Sequence, residues 1–473
     1  MSETETQALF SLLRQSVKGY PQAADAIQRV VADGLDRHLC RINVLAFAAR
    51  HQLDEERTIA TFLHGAQIGM FDMSWNVLCP GCGGVLDSNA TLKTMQKDCY
   101  VCALCATNYS PTLDEMVEVT FTINPRVRKI AAHSPHELPM AEYFRQIYWG
   151  SGVELPEDNF VPLVESFVLE DVELAPGEKA VLSLQLPSEF IIVFEPVTHN
   201  AQFLDIKGEA TRERQNLALV FDKDHTQNQT IDMRPGPLRI ALENRTDTRV
   251  LPTVCIAGDV LHDMLGKRRP FLTAKRLLTN QTFRDLYRTN TLDVDQRLKI
   301  TSLTFLFTDL RASTELYERV GDLVAFDLVR AHFQVLHEIV AAETGAVVKT
   351  IGDAVMATFP TPDRAVAAAL RMRDAMQALN EKSGREDLIL KIGVHTGPCI
   401  AVTMNERQDY FGQTVNIASR VQGLATSQAI FITGEVAGDA KAADLLFAKD
   451  LKPVSHSAAL RGITREIPVY AIP

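Results

Sequence analysis

The apolar residues of this chain change period along its length. Up to about residue 75 they recur at helical spacing. Two short amphipathic stretches between Arg41 and Phe71 flank a turn near His51–Leu53; Asp54 is placed to cap the second, and Ile59, Phe62, Leu63 and Ala66 line one face of it. Between residues 155 and 260 the period falls to two. Leu182, Leu184 and Leu186 alternate with Ser183 and Gln185, and Leu238, Ile240 and Leu242 alternate with Arg239 and Ala241. Turn signals (Ala175-Pro176-Gly177, Lys207-Gly208, Arg234-Pro235-Gly236-Pro237) cut these runs, which predicts a central antiparallel, sandwich-like β domain. From residue 299 strands and helices alternate: a strand over 300–308, a helix over about 313–342, a strand pair around Gly352-Asp353, a helix over 363–380, strands over 388–396 and 399–403, a helix over 414–424 and a strand over 429–432. In the first of these helices Phe326, Val329, Phe333, Leu336 and Val340 follow the three-four spacing of an inward face. The order predicts a multidomain α+β protein ending in an α/β sandwich.

These shifts divide the chain into a helical module (1–75), a cysteine-bearing module (76–135), a β-rich domain (136–262), a connector (263–298) and a C-terminal domain (299–473). In the connector, Lys267-Arg268-Arg269-Pro270 reads as a solvated basic face, and Phe271 to Tyr287 has helical spacing. Composition changes the picture little: 46% of the 473 residues are hydrophobic and 23% charged, as in ordinary globular proteins. The net charge of −11 argues against a protein that wraps a polyanion. The helix-turn-helix look of residues 41–71 does not rescue nucleic-acid binding, because Asp54-Glu55-Glu56 would meet phosphates at the end of a recognition helix. No window approaches the ~18 apolar residues of a membrane span, and MSETETQALF lacks a leader pattern, so the expectation is a cytoplasmic protein. In that reducing compartment the eight cysteines are expected as metal ligands or buried thiols.

Cys79-Pro-Gly-Cys82 and Cys102-Ala-Leu-Cys105 are separated by 19 residues, the spacing of a structural zinc site. Gly81, Gly83 and Gly84 permit the backbone bends of such a knuckle. Cys99 is an alternative ligand; Cys40, Cys255 and Cys399 are expected as buried small residues. Farther on, the apolar strand Phe305-Leu-Phe-Thr308 ends in Asp309, and a second acid, Asp353, follows Gly352 in a hairpin turn. Two hard carboxylates at neighbouring strand ends could hold a pair of Mg²⁺ ions. On the helix over 414–424, Asn416 and Arg420 are four apart and share a face, whereas Val415, Ala418 and Val421 can pack inward.

Four blocks, LTFLFTDLRAST (303–314), KTIGDAVMATF (349–359), KIGVHTG (391–397) and DYFGQTVNIASR (409–420), resemble the catalytic domain of class III nucleotidyl cyclases in order and spacing. The upstream part resembles a domain of unknown function in bacterial adenylate/guanylate cyclase proteins, which carries a CPxCG…CxxC, zinc-ribbon-like pattern. The resemblance implies a ferredoxin-like sandwich and an adenylate cyclase that turns ATP into 3′,5′-cyclic AMP and pyrophosphate. It implies two Mg²⁺ (or Mn²⁺) per site on Asp309, Asp353 and the carbonyl of Leu310, and amides near Arg311–Thr314 cradling the phosphates. Asn416 would orient the ribose and Arg420 would stabilise the pentavalent phosphorus. Lys349 and Asp409 would read the purine, a pair that suits adenine. A guanylate cyclase and a catalytically silent nucleotide-binding protein are the alternatives. The chain departs from the family pattern at Ser313-Thr314, at Lys391, where an arginine often contacts phosphate, and at Arg461-Gly462, where a lysine is common. That leaves Lys391 and Arg461 as candidate phosphate ligands, and His395 reads as structural. The family's sites form between two such domains, so the resemblance implies a head-to-tail homodimer whose upstream modules sense a regulatory ligand or protein.

Overall fold

A computed structural model describes all residues except 1–2, 18, 96–97, 223–229, 288–297, 312, 384–387, 405–406, 426–428, 459, 461–462 and 464–465, with backbone alone at 3, 313, 314, 316, 382, 383, 457 and 458. The chain forms two compact units, one of residues 1–90, 97–111 and 115–272, the other of residues 91–96, 112–114 and 273–473.

The first unit begins with four helices, Glu3–Ser16, Pro21–Asp33, Val44–Arg50 and Glu55–Gln67. Asn43 Oδ1 accepts the Leu45 and Ala46 N–H groups, and Asp54 Oδ1 accepts that of Arg57 at 2.9 Å, so each of the last two helices starts on a capped end. Ile59, Phe62 and Leu63 are fully buried as their spacing requires, while Ala66 is half-buried. Strand Phe71–Leu78 is central in a three-stranded antiparallel sheet with Val85–Asn89 and Val117–Ile123, and a small hairpin joins Tyr100–Cys102 to Thr107–Tyr109.

Residues 168–256 form a three-stranded and a five-stranded sheet around a core that includes Ile191, Val193, Leu204, Leu238, Ile240 and Leu242. The expectation of purely antiparallel pairing is corrected here. Gln215–Phe221 runs parallel to Gly236–Asn244, and Thr230–Met233 runs parallel to Asn200–Ile206. From Asn200 to Asn244 successive strands cross from one sheet to the other, so strands two apart in sequence lie side by side in the same direction. Period-two alternation records burial of one face and is blind to strand direction.

The second unit is built on one sheet: Leu298–Leu310 (β1), Ala346–Ile351 (β2), Ala354–Phe359 (β3), Leu390–Met404 (β4), Arg407–Phe411 (β5), Ile430–Thr433 (β6), Val454–Ala458 (β7) and Ile467–Ile472 (β8), in the order β2-β3-β1-β4-β6-β8-β7 with β5 on β4. Helices Ser313–Val320 (α1), Asp322–Ala342 (α2), Pro362–Ser383 (α3), Gln413–Gly423 (α4) and Ala440–Ala448 (α5) accompany it. One core joins Leu306, Leu310 and Val394 of the sheet to Val329, Leu336 and Val340 of α2 and to Ala369 and Met372 of α3. A second core packs Ile417 and Val421 of α4 against Phe431 and Val469.

Several expectations are corrected in this unit. The helix over 313–342 is two helices, because Gly321 takes φ +77°, a left-handed conformation that ends α1. Phe326 is 59% exposed; Ala325 takes its place in the inward face. The strands over 388–396 and 399–403 are one strand, β4. Pro398 does not end it because the register of β1 shifts there, from Leu303 opposite Gly397 to Ile300 opposite Cys399, and this irregularity absorbs the missing N–H. Residues 271–287 fold as two short helices, Ala274–Leu278 and Gln281–Leu286, with Asn280 capping the second at 3.0 Å from Phe283 N.

Helix α4 lies hard against β4. A Cβ on Gly393 would come within 2.2 Å of the Gln422 backbone nitrogen, and one on Gly397 within 2.8 Å of Thr414 Oγ1. Gly393→Ala should therefore lower unfolding stability by about 1–3 kcal/mol in denaturant titration, through overpacking against backbone. Gly423→Ala, at a position with nothing within 4 Å of the new methyl, should not; equal losses would contradict the close approach.

Candidate active site and metal centre

Asp309 stands at the end of β1, where Leu306 and Leu310 turn into the core and alternation leaves Asp309 to the other face. Its β4 neighbour is Lys391, whose Nζ lies 3.7 Å from Asp309 Oδ2. Asp353 sits in the tight turn between β2 and β3, which Gly352 closes with φ +64°. Asp353 Oδ2 accepts the Leu310 N–H at 3.2 Å, so both carboxylates meet at one end of the sheet. Burial, then the charge of Asp353, raises the Asp309 carboxyl above its ordinary range, while Lys391 and a hydrogen bond from Gln422 pull it down. Two hard oxygen donors that repel each other across a partly desolvated end fit a divalent cation such as Mg²⁺. Gln422 escaped the reading of the sequence; its only signal is a place two residues beyond Arg420. His332 escaped it too. It is fully buried on α2, and burial lowers its pKa to about 4 while the charge of Asp353 opposes that shift.

A second cluster lies on β2 and β5. Lys349 Nζ is 2.5 Å from Asp409 Oδ2, and Asp409 Oδ1 accepts the Tyr410 N–H at 2.9 Å. Asp409 is buried, whereas the lysine is far more open. Arg284 Nη2 ties the two strands together, donating to the carbonyls of Val348 at 3.3 Å and Gln408 at 3.0 Å. Beside the pair is a cavity of about 290 Å³ lined in part by Arg284, Tyr287, Lys349, Arg407 and Gln408.

On α4, Asn416 is exposed and Arg420 half-buried, on one outer face. Ala418 and Val421 pack inward as expected; Val415 is only half-buried, and Thr414 and Ile417 supply the rest of that face. His395 is buried with Nδ1 2.8 Å from Thr433 Oγ1, as a structural residue would be. Arg461 lies outside the described residues, as does Ala312 of the phosphate-cradling segment.

Lys349 pairs with Met356, which pairs with Phe307 two residues before Asp309, and Lys349 stands four residues before Asp353 on the same hairpin. Lys391, opposite Asp309, and Val402, opposite Asp409, are 402 − 391 = 11 positions apart on β4.

The cysteines form a separate centre. Sγ–Sγ distances are 3.6 Å for both Cys79–Cys105 and Cys82–Cys102, and all four sulfurs lie within 4.8 Å of one another. Cys99 is exposed and outside the group, and Cys40 is half-buried, not buried. Gly83, at φ +75°, makes the knuckle turn. The basic cluster at 267–269 is not simply solvated: Arg268 Nη2 donates to Gly81 O at 2.8 Å and Arg269 Nε to Ser151 O at 2.9 Å. Four sulfurs at this spacing could hold a metal ion.

Residues 296–452 match the adenylate and guanylate cyclase catalytic domain, and residues 1–285 match a family of unknown function, DUF5939. The chain belongs to the DUF5939 family and carries a class III cyclase catalytic domain. Adenylate cyclase 1 of Rhizobium meliloti is 26% identical over 184 residues, covering 36% of this chain and 27% of its own. The adenylate cyclase of Anabaena cylindrica is 27% identical over 185 residues, covering 36% of each. The chain thus spans about a third of the length of these relatives. The adenylyl cyclase CyaB from P. aeruginosa is a solved structure at 24% identity and TM-score 0.34, covering 38% of this chain and 96% of that one. Within the cyclase domain, Asp309, Leu310, Lys349, Asp353, Lys391, Asp409, Asn416 and Arg420 all fall inside the matched residues, and Arg461 falls beyond them.

Proposed function

We propose that the chain is an adenylate cyclase whose active sites form between two copies of its C-terminal domain. The observation that carries this reading is the adjacent Lys349–Asp409 pair, with Lys349 on the hairpin that bears Asp353 and Asp409 on β5. A lysine beside a buried carboxylate offers a donor and an acceptor, which matches N1 and the 6-amino group of adenine. Ile351 and Phe411 lie two residues beyond Lys349 and Asp409 on their strands, on the same faces, and are 54% and 52% exposed, which favours cover by a second protein surface.

In the proposed reaction the ribose 3′-oxygen forms a bond to the α-phosphorus, the bond to the β-phosphate breaks, and pyrophosphate leaves. Asn416 donates its side-chain amide to the ribose and fixes the attacking hydroxyl. Arg420 places its guanidinium on the charge that builds on the α-phosphoryl oxygens. Lys391 faces the leaving phosphates as a point charge without the bidentate fork of an arginine, and Arg461 is a further candidate for that role. Two Mg²⁺ or Mn²⁺ ions, held by Asp309, Asp353 and the Leu310 carbonyl, would supply Lewis acidity toward the phosphates. The four cysteines would hold a structural zinc ion in the N-terminal unit. The reading places the protein in the cytoplasm, with the upstream unit answering a regulatory ligand or partner; no described helix is long and apolar enough to cross a membrane.

Purified chain should form cyclic AMP from ATP with Mg²⁺ or Mn²⁺, and Asn416→Ala or Arg420→Ala should each lower the rate by about 10²–10³. Near-normal turnover in either variant would contradict the assignment. Preference for GTP would make it a guanylate cyclase, and no product from either nucleotide a silent nucleotide-binding protein. Metal analysis of the full chain should find one zinc per chain, lost in Cys82→Ser with a drop in melting temperature. Metal-free wild-type protein with unchanged stability would contradict the zinc site.

A further inference from the structure

The N-terminal unit holds a cavity of about 410 Å³, a volume typical of small-molecule sites. Five arginines line it, Arg37, Arg41, Arg50, Arg145 and Arg269, and Glu157 is the one acid in the lining. With the histidines neutral the lining carries 5 − 1 = +4, within a chain whose net charge is −11. Guanidinium groups cannot discharge themselves by losing a proton, so folding must hold these charges together. Most of their contacts orient without neutralising. Arg41 donates to the Ile147 carbonyl, Arg145 to those of Pro156 at 2.9 Å and Glu157 at 3.3 Å, and Arg269 to that of Ser151 at 2.9 Å. Glu157 already pairs with Arg50 and lies 3.9 Å from His38 Nε2; Glu142, outside the lining, lies 3.8 Å from Arg145.

Three buried lining atoms have no hydrogen-bond partner among the described residues: Arg145 Nε, His38 Nε2 and Oε1 of Gln146, a residue only 8% exposed. Burial, then the charge of Arg50, lowers the His38 pKa, while Glu157 opposes that shift. The wall also has apolar members, among them Phe47 and Trp149, both buried. A lining that combines guanidinium forks with aromatic residues suits a ligand with a doubly charged head and an apolar body.

We propose that this cavity binds a small phosphorylated organic molecule, its phosphate held by Arg37, Arg50 and Arg145 and its body against Phe47 and Trp149. The inference does not depend on cyclase activity. The chain has two tryptophans, Trp75 in the core and Trp149 in the cavity wall, so Trp149 emission reports occupancy.

The test titrates full-length protein with phenyl phosphate, with inorganic phosphate and phenol as separate arms, following tryptophan emission and calorimetry together. Phenyl phosphate should give a saturable signal that weakens with ionic strength and exceeds both arms in affinity. Arg37→Gln and Arg50→Gln should each weaken it about tenfold, with melting temperatures of the ligand-free variants no lower than that of wild type. Arg420→Ala, in the other unit, should leave the titration unchanged. No saturable binding by either method, equal affinity in the arginine variants, or loss in Arg420→Ala would each overturn the proposal. Phosphate binding as tightly as phenyl phosphate would overturn the aromatic half of it.

Discussion

Strand β4 is the constraint on which the proposed site depends. It runs from Leu390 to Met404, pairs with β1 along most of its length and carries β5 on its far end. The pairing of Asp309 with Lys391 and of Asp409 with Val402 then follows from register alone. Lys349 of the second cluster stands on β2, four residues before Asp353. In the proposed dimer, two copies facing head to tail would bring the acids of one chain to the purine-reading pair of the other, twice.

Electrostatics works differently in the two clusters. Burial, then the charge of Asp353, raises the Asp309 carboxyl, and Lys391 only partly offsets that. An end with excess negative charge and hard oxygens favours cations. The second cluster is internally paired: Lys349 and Asp409 satisfy each other. On the proposed reading, a base that presents an acceptor and a donor would exchange one hydrogen-bonded partner for another there, at small desolvation cost. Glycine matters for the same reason. With no side chain at Gly393 and Gly397, α4 approaches β4 closely enough for Gln422 to reach Asp309.

Much of this was legible in the chain, and the misses have physical causes. Asp54, the buried face of Glu55–Gln67 and the two cysteine pairs could be read because capping, helical burial and metal knuckles depend on local spacing. The sheet ends bearing Asp309 and Asp353 could be read because an apolar strand closed by an acid, and a Gly-Asp turn, are local signals too. What failed was non-local. Gly321 breaks an otherwise continuous apolar stripe, and Phe326, which fits that stripe, faces out. Pro398 sits inside a strand because the register of β1 shifts opposite it. The parallel pairs of the N-terminal unit arise from crossovers between sheets, which leave no trace in alternation. Arg268 looked like a solvated charge, and its partner, Gly81, lies far away in sequence. The clustering of Arg37, Arg41, Arg50, Arg145 and Arg269 was invisible for the same reason.

The claim that one chain supplies only half of each site is tested most directly by mixing two inactive variants. On the proposed reading, Asp309→Ala would remove a metal ligand from one half and Asn416→Ala the ribose contact from the other. Co-expressed in equal amounts, they should recover about a quarter of wild-type cyclase activity, since half of the dimers are mixed and each mixed dimer holds one intact site of two. Activity no greater than that of either variant alone, with mixed dimers demonstrably present, would contradict the shared site.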